Sequence, residues 1–255
     1  MNESVVEQPQ ERLLGSDIST TQAVPPFAQA AASGLHRLAA FHAVEPTVDF
    51  LTTLRDAPLC DGFGLPLDRD DARQAMALID EVVSDLPCPI TGDSIAPLRI
   101  DFAAIHRSQG YQASPTESAW TAGESPSDPD VAGRLRDWWQ RAGLAPDPIR
   151  PPDHLVSELT LLAALLEGGQ AIDATRFLDQ HPLRWIPTFC SRVATRCREP
   201  FYAGVAILTA AHIDHLRDLL AAACGLPRPA DDDHADTRRR RWTDGRLPRA
   251  CGCDT

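Results

Sequence analysis

The chain has 255 residues, of which 43% are apolar and 6% aromatic, and it carries a formal charge of −12. That length allows one large domain or two small ones, and the acidic balance argues against gripping nucleic acid through its phosphates while suiting a basic partner such as an arginine-bearing peptide. No uninterrupted apolar run is long enough for a membrane span, and the polar, acidic residues 1–7 lack the basic-then-apolar order of a secretory signal, so a cytoplasmic protein is expected.

Residues 1–20 read as a loose polar lead. Helical periodicity begins over 23–43, with Phe27, Leu35, Leu38 and Phe41 on related faces. Pro46 suits the first turn of a second helix bearing Val48, Phe50, Leu51 and Leu54. Pro58, Gly62, Gly64 and Pro66 mark a loop, after which 70–86 repeats Ala72, Ala75, Met76, Ile79, Val82, Val83 and Leu86 at helical intervals. A further stripe, Ile95, Leu98, Phe102 and Ile105, precedes a long loop over 110–129. A loop of that length inside a domain is commonly functional.

A short helix with Leu135, Trp138 and Trp139 fits 131–142, and a proline-rich link leads to Pro151-Pro152. Residues 153–167 give the clearest helix, with Leu155, Leu159, Leu162, Ala163 and Leu166 on one face and Gly168-Gly169 at its end. Helices over 171–180 and 183–195 hinge at His181-Pro182, and 201–224 forms a long last helix. Residues 226–255 hold prolines, an Asp231–Asp233 run and Arg238–Arg241, and read as a disordered tail. The expected fold is all-α, one bundle of nine or ten helices over 21–225.

The corner Pro151-Pro152-Asp153-His154 is the first functional candidate. Asp153 suits a helix cap, accepting from orphan backbone N–H groups. It equally suits a charge-assisted, bidentate pair with a guanidinium, with His154 stacking or hydrogen-bonding beside it. Glu158 lies one turn on, on the same helix side as His154.

Four segments in order carry a family resemblance. They are Asp101-Phe102-Ala103-Ala104-Ile105-His106, Pro115-Thr116-Glu117-Ser118-Ala119-Trp120, the run Pro152-Asp153-His154-Leu155 followed by Glu158-Leu159, and His181-Pro182-Leu183-Arg184-Trp185 continuing to Phe189. Together with Phe201-Tyr202-Ala203-Gly204 at the start of the last helix, this pattern resembles the TorD/DmsD/NarJ chaperones over roughly residues 25–222. Thr116 departs from the family's usual aromatic, and Phe102 from its usual tyrosine. The resemblance implies a non-catalytic, all-helical cytoplasmic chaperone without a cofactor. It would hold the N-terminal segment of a molybdenum-cofactor oxidoreductase catalytic subunit, in many members a twin-arginine leader. Carried over by position, Pro115, Glu117, Trp120, Pro151, Pro152, Asp153 and His154 would line the peptide site, joined by Glu158. The acids would meet the leader's arginines at the rim of an apolar groove. Monomer and domain-swapped dimer are both open.

A rival reading is a small helical metal-binding or redox-sensing protein. Cys251 and Cys253, with Cys224 or His234, offer soft ligands. The pairs His36/His42 and His212/His215 lack a third ligand placed by any motif, and His212 falls on an apolar stripe, as a core histidine would. The seven cysteines are odd in number and widely spaced, which is not a disulfide framework. Neither a phosphate-cradling glycine loop nor a nucleophile elbow occurs in the sequence.

Overall fold

A computed structural model describes residues 24–108, 110–121 and 130–229. The described chain is helical: α1 (Ala28–Ala43), α2 (Val48–Asp56), α3 (Asp70–Asp85), α4 (Ala96–His106), α5 (Ser118–Thr121), α6 (Val131–Arg141), α7 (Leu155–Glu167), α8 (Ala171–Gln180), α9 (Pro182–Arg196) and α10 (Pro200–Cys224). One short 3-10 turn, Leu59–Asp61, interrupts the loop before α3. The all-α expectation therefore holds. The lead 1–20, the run Arg238–Arg241 and the cysteines Cys251 and Cys253 lie outside the described residues.

Local chemistry sets the helix ends, in two places differently from expectation. Thr47, not Pro46, starts α2, because its hydroxyl accepts from Phe50 N at 3.1 Å. The helix expected from Asp153 begins at Leu155, and His154 is its cap, with Nδ1 accepting from Val156 N at 3.1 Å. Gly169, at φ 71°, turns the chain after α7, and Gly225, at φ 65°, ends α10.

The long α10 is the spine. It packs against α3 and α9 and touches α8 and α1, while α1 runs along α7. Two glycines allow the closest approaches. A β-carbon on Gly34 would stand 2.4 Å from the His212 ring, and one on Gly204 would stand 2.7 Å from Ile79 Cγ1. The apolar stripe read on α7 is only part of its buried surface, since Val156, Leu161 and Leu165 are buried as well. A helix buried nearly all round belongs inside the fold rather than on its face. That location decides the fate of its one acid, Glu158. No described helix is long and apolar enough to cross a membrane.

Candidate functional site

A short strap, residues 113–121, lies across the N-terminal end of α7. Two main-chain bonds clip it there: Glu117 N donates to Asp153 O at 2.9 Å, and Leu155 N donates to Pro115 O at 2.8 Å. Thr116 and His154 thereby form an antiparallel bridge. Asp153 adds a side-chain bond, its Oδ2 accepting from Ser118 N at 3.3 Å. The carboxylate expected to cap α7 thus holds the strap and α5 instead. Pro151 fixes the other side of the corner, its carbonyl accepting from His154 N at 3.1 Å and from Ser157 Oγ at 3.0 Å.

The eight residues predicted for the site fall in this one region, but most of them face inward. Pro151 is exposed, His154 and Trp120 are half-buried, and Pro115 and Pro152 are buried. Asp153 is 4% exposed, and Glu117 and Glu158 are 0% exposed. The expectation that these acids stand open at a groove's rim is therefore corrected: Asp153 and Glu158 are buried at the end of α7, and Glu117 turns inward from the strap. The corner is packed, and a shallow depression lined by Trp138, Arg141, Leu165 and Asp173 opens elsewhere, between α6, α7 and α8.

Burying acids without partners would be costly, and each has one. Glu117 Oε2 meets His181 Nδ1 at 2.8 Å, with His181 only 2% exposed. Glu158 accepts from Trp185 Nε1 at 3.2 and 3.1 Å. Glu117 Oε1 is buried with no partner among the described residues. Burial, and then the charge of Glu117, push the Glu158 carboxyl well above its ordinary range. The raised value makes its contribution favour the fold below its unfolded value near 4.5 and oppose it as pH rises through the folded value. Glu158→Gln keeps an acceptor for Trp185 and cannot ionise. It should raise the melting temperature at pH 8 more than at pH 5, as read by thermal melts at both; an equal shift would separate Glu158 from any titration.

Histidines that sequence reasoning did not place here complete the region. His42 and His106 sit with ring centroids 5.4 Å apart, and Phe189 lies 6.2 Å from His42 and 6.4 Å from His106. His42 Nε2 reaches Thr209 Oγ1 at 3.1 Å; both nitrogens of His106 are buried without a partner among the described residues. Burial, and then the neighbouring His154, push His42 down to about 3. Burial, and then His42 and His154, hold His106 well below the usual histidine range. His154 is lowered to about 4 by burial and then by Arg150. His181, Trp185 and His106 all stood inside the quoted motifs, yet only the fold shows what they touch. His212, as expected, is a core histidine, with Nε2 3.2 Å from Ala31 O. Among the described residues no group of three or more His, Cys, Asp or Glu side chains is placed to hold a metal ion.

Trp120 anchors the strap's outer end. Its Nε1 donates to Ser114 O at 2.7 Å, its ring meets Phe189 edge-on at 6.4 Å, and the Arg192 guanidinium lies 4.5 Å over it. Asp101 of the first motif ties two helices together: Oδ2 accepts from Arg198 N at 3.0 Å and Glu199 N at 2.9 Å, just before α10, while Tyr111 OH donates to Oδ1.

The family model described as nitrate reductase delta subunit matches residues 67–191, a span that holds the strap, the corner and His181. A search of curated proteins gave no match. The matched family consists of molybdoenzyme maturation chaperones, not themselves catalytic, which act with nitrate reductase-type catalytic subunits. The packed corner, its strap and much of the helical frame around them therefore lie within the span that matches the nitrate reductase delta subunit family.

Proposed function

We propose that this protein acts in the cytoplasm as a dedicated chaperone for one molybdenum-cofactor oxidoreductase. It holds the N-terminal segment of the catalytic subunit, including a twin-arginine leader where the client has one, until the cofactor is inserted. The family match carries this reading, because its span includes every residue assigned to the site. The geometry supports a particular route. Among the described residues, two main-chain bonds and one side-chain bond from Asp153 clip the strap to the end of α7, and the Glu117–His181 pair and the Trp120 ring hold it to α9 and the residue before it. When the strap moves outward, the extended backbone at 153–155 is freed to pair with an extended peptide, in the manner of strand addition. The same movement parts Glu117 from His181 and uncovers Asp153 and Glu158. A leader's guanidinium then replaces Ser118 N as the partner of Asp153, and its fork suits a carboxylate. Apolar contact supplies most of the affinity, and charge sets partner choice and association rate.

The test is calorimetric titration of the full chain with a synthetic peptide matching the first residues of a candidate catalytic subunit from the same cell. Asp153→Asn retains an acceptor for Ser118 N, so its melting temperature should stay near that of the parent. Peptide binding should weaken by roughly tenfold, the loss of one charge-assisted bond. Unchanged peptide affinity in this variant would remove Asp153 from the site. Failure of any molybdoenzyme subunit to co-purify from the native cell would remove the function.

A further inference from the structure

We infer that the C-terminal end of α9, with the loop it holds at Tyr111-Gln112, is a docking surface for an acidic, extended segment of a partner protein. This goes beyond the leader site proposed above, which takes a basic ligand.

The argument begins with charge. The chain is strongly acidic, yet residues 182–199 contain Arg184, Arg192, Arg196 and Arg198 against one acid, Glu199. Many arginines elsewhere on the described surface meet carboxylates: Arg69 pairs with Asp71 and Asp214, Arg73 with Asp70, and Arg150 with Asp147. The α9 end differs. Arg192 Nη1 donates to Gln112 O at 2.8 Å, and its guanidinium covers Trp120. Arg196 Nη1 donates to Tyr111 O at 2.9 Å and to Gln112 Oε1 at 3.3 Å. The Arg198 guanidinium makes no hydrogen bond or ion pair among the described residues, and Arg196 and Arg198 are exposed. The buried acid beside this loop, Asp101, accepts from Tyr111 OH and from the N–H groups of Arg198 and Glu199. Three positive charges therefore gather here without a carboxylate paired to their guanidinium groups among the described residues.

The loop beneath them is pre-ordered. Gln112 holds a left-handed conformation, φ 52°, which is unfavourable for a non-glycine residue. Arg192 and Arg196 offset that cost by binding its carbonyl and side chain. Guanidinium groups already fixed by such bonds lose little freedom when they meet a ligand, and their remaining N–H groups suit carboxylates. Spacing favours an extended segment. Arg192 and Arg196 are one helical turn apart, about 6 Å along the axis, and alternate side chains of an extended chain repeat at about 6.6–6.8 Å. A segment with Asp or Glu at every second position matches that repeat. Nucleic acid fits less well, because the net charge repels a dense polyanion and the Trp120 face that a base would stack on is already covered by Arg192.

Fluorescence anisotropy on the full chain tests this. The probes are a labelled peptide with glutamate at alternate positions, the same peptide with serine for glutamate, and a labelled oligothymidine of equal length. The glutamate peptide should bind, and the serine peptide should not. Arg198→Glu, which breaks no bond of the guanidinium, should weaken binding by roughly fivefold or more at an unchanged melting temperature, and Arg196→Glu should do so at least as strongly. Three outcomes would overturn the inference: no binding of the glutamate peptide, binding insensitive to both reversals (which would place it on Arg238–Arg241), or tighter binding of oligothymidine.

Discussion

Taking the protein from pH 7 to pH 5 should lower its melting temperature by roughly 10 °C or more, an acid sensitivity set by its buried histidines. His42 is held at about 3, His212 at about 4, and His106 well below the usual range, all chiefly by burial. An unfolded histidine takes up its proton near pH 6.5. Below that pH the unfolded chain binds protons that the native chain refuses, so stability falls as pH falls from about 6.5 towards the folded values. At pH 5 each suppressed histidine costs about 2 kcal/mol, and for a domain of this size each kcal/mol moves the midpoint by about 2–4 °C. Glu158 acts in the opposite sense, since its raised folded value gives the native state a proton earlier than the unfolded chain, but one carboxyl offsets only part of three imidazoles. His106 identifies the source. Both its ring nitrogens are buried beside Phe102 and Phe189, without partners among the described residues. His106→Leu should therefore raise the midpoint at pH 7, relieving about 1–3 kcal/mol of unmet hydrogen bonding, and should also flatten its dependence on pH. Melting curves at half-unit intervals check both effects. A midpoint that does not move between pH 7 and pH 5 would mean that these rings are solvated in the native state.

What the sequence made legible is what repeats along it. The stripes of α3 and α7 are visible because burial of one helical face imposes a period of 3.6 on apolar residues. The site was legible as a set of neighbours but not as an environment. Glu117 and His181 meet across a sequence separation of 64, and no local pattern encodes that pairing. Glu158 is different, because a signal did exist: it stands three residues after Leu155 and four before Leu162, inside the very stripe that marks the buried face of α7. Placing an acid at such a position on the open rim of a groove overlooks the face it occupies. Asp153 was misplaced for another reason. Its propensity for capping is real, but the strap supplied a competing set of N–H groups, and His154 was free to cap α7. Capping preference ranks residues at a helix end; it does not choose between two ends that meet at one corner.

Replacing Arg217 by alanine should cost about 3–5 kcal/mol of stability, the usual consequence of removing one partner from a buried ion pair. Arg217 is 0% exposed and lies on the buried side of α10. Its Nε and Nη2 grip both oxygens of Asp179 on α8, at 2.7 and 2.8 Å. Its remaining donors hold Leu226 O at 3.1 Å and Pro227 O at 2.9 Å, so the same side chain fastens the residues that follow α10. Alanine leaves the Asp179 carboxylate and two carbonyls without these bonds, and empties the space of a long side chain. Lysine keeps the charge but lacks the planar fork, so Arg217→Lys should fall between parent and alanine. Pairing Arg217→Met with Asp179→Leu removes both charges and should recover much of the loss, since a buried ion pair is often replaceable by apolar groups of similar volume. Chemical denaturation of the single and double variants closes the cycle. A loss below about 1 kcal/mol in Arg217→Ala would show that water reaches this pair in solution, and that α8 and the segment after α10 are fastened by apolar packing alone.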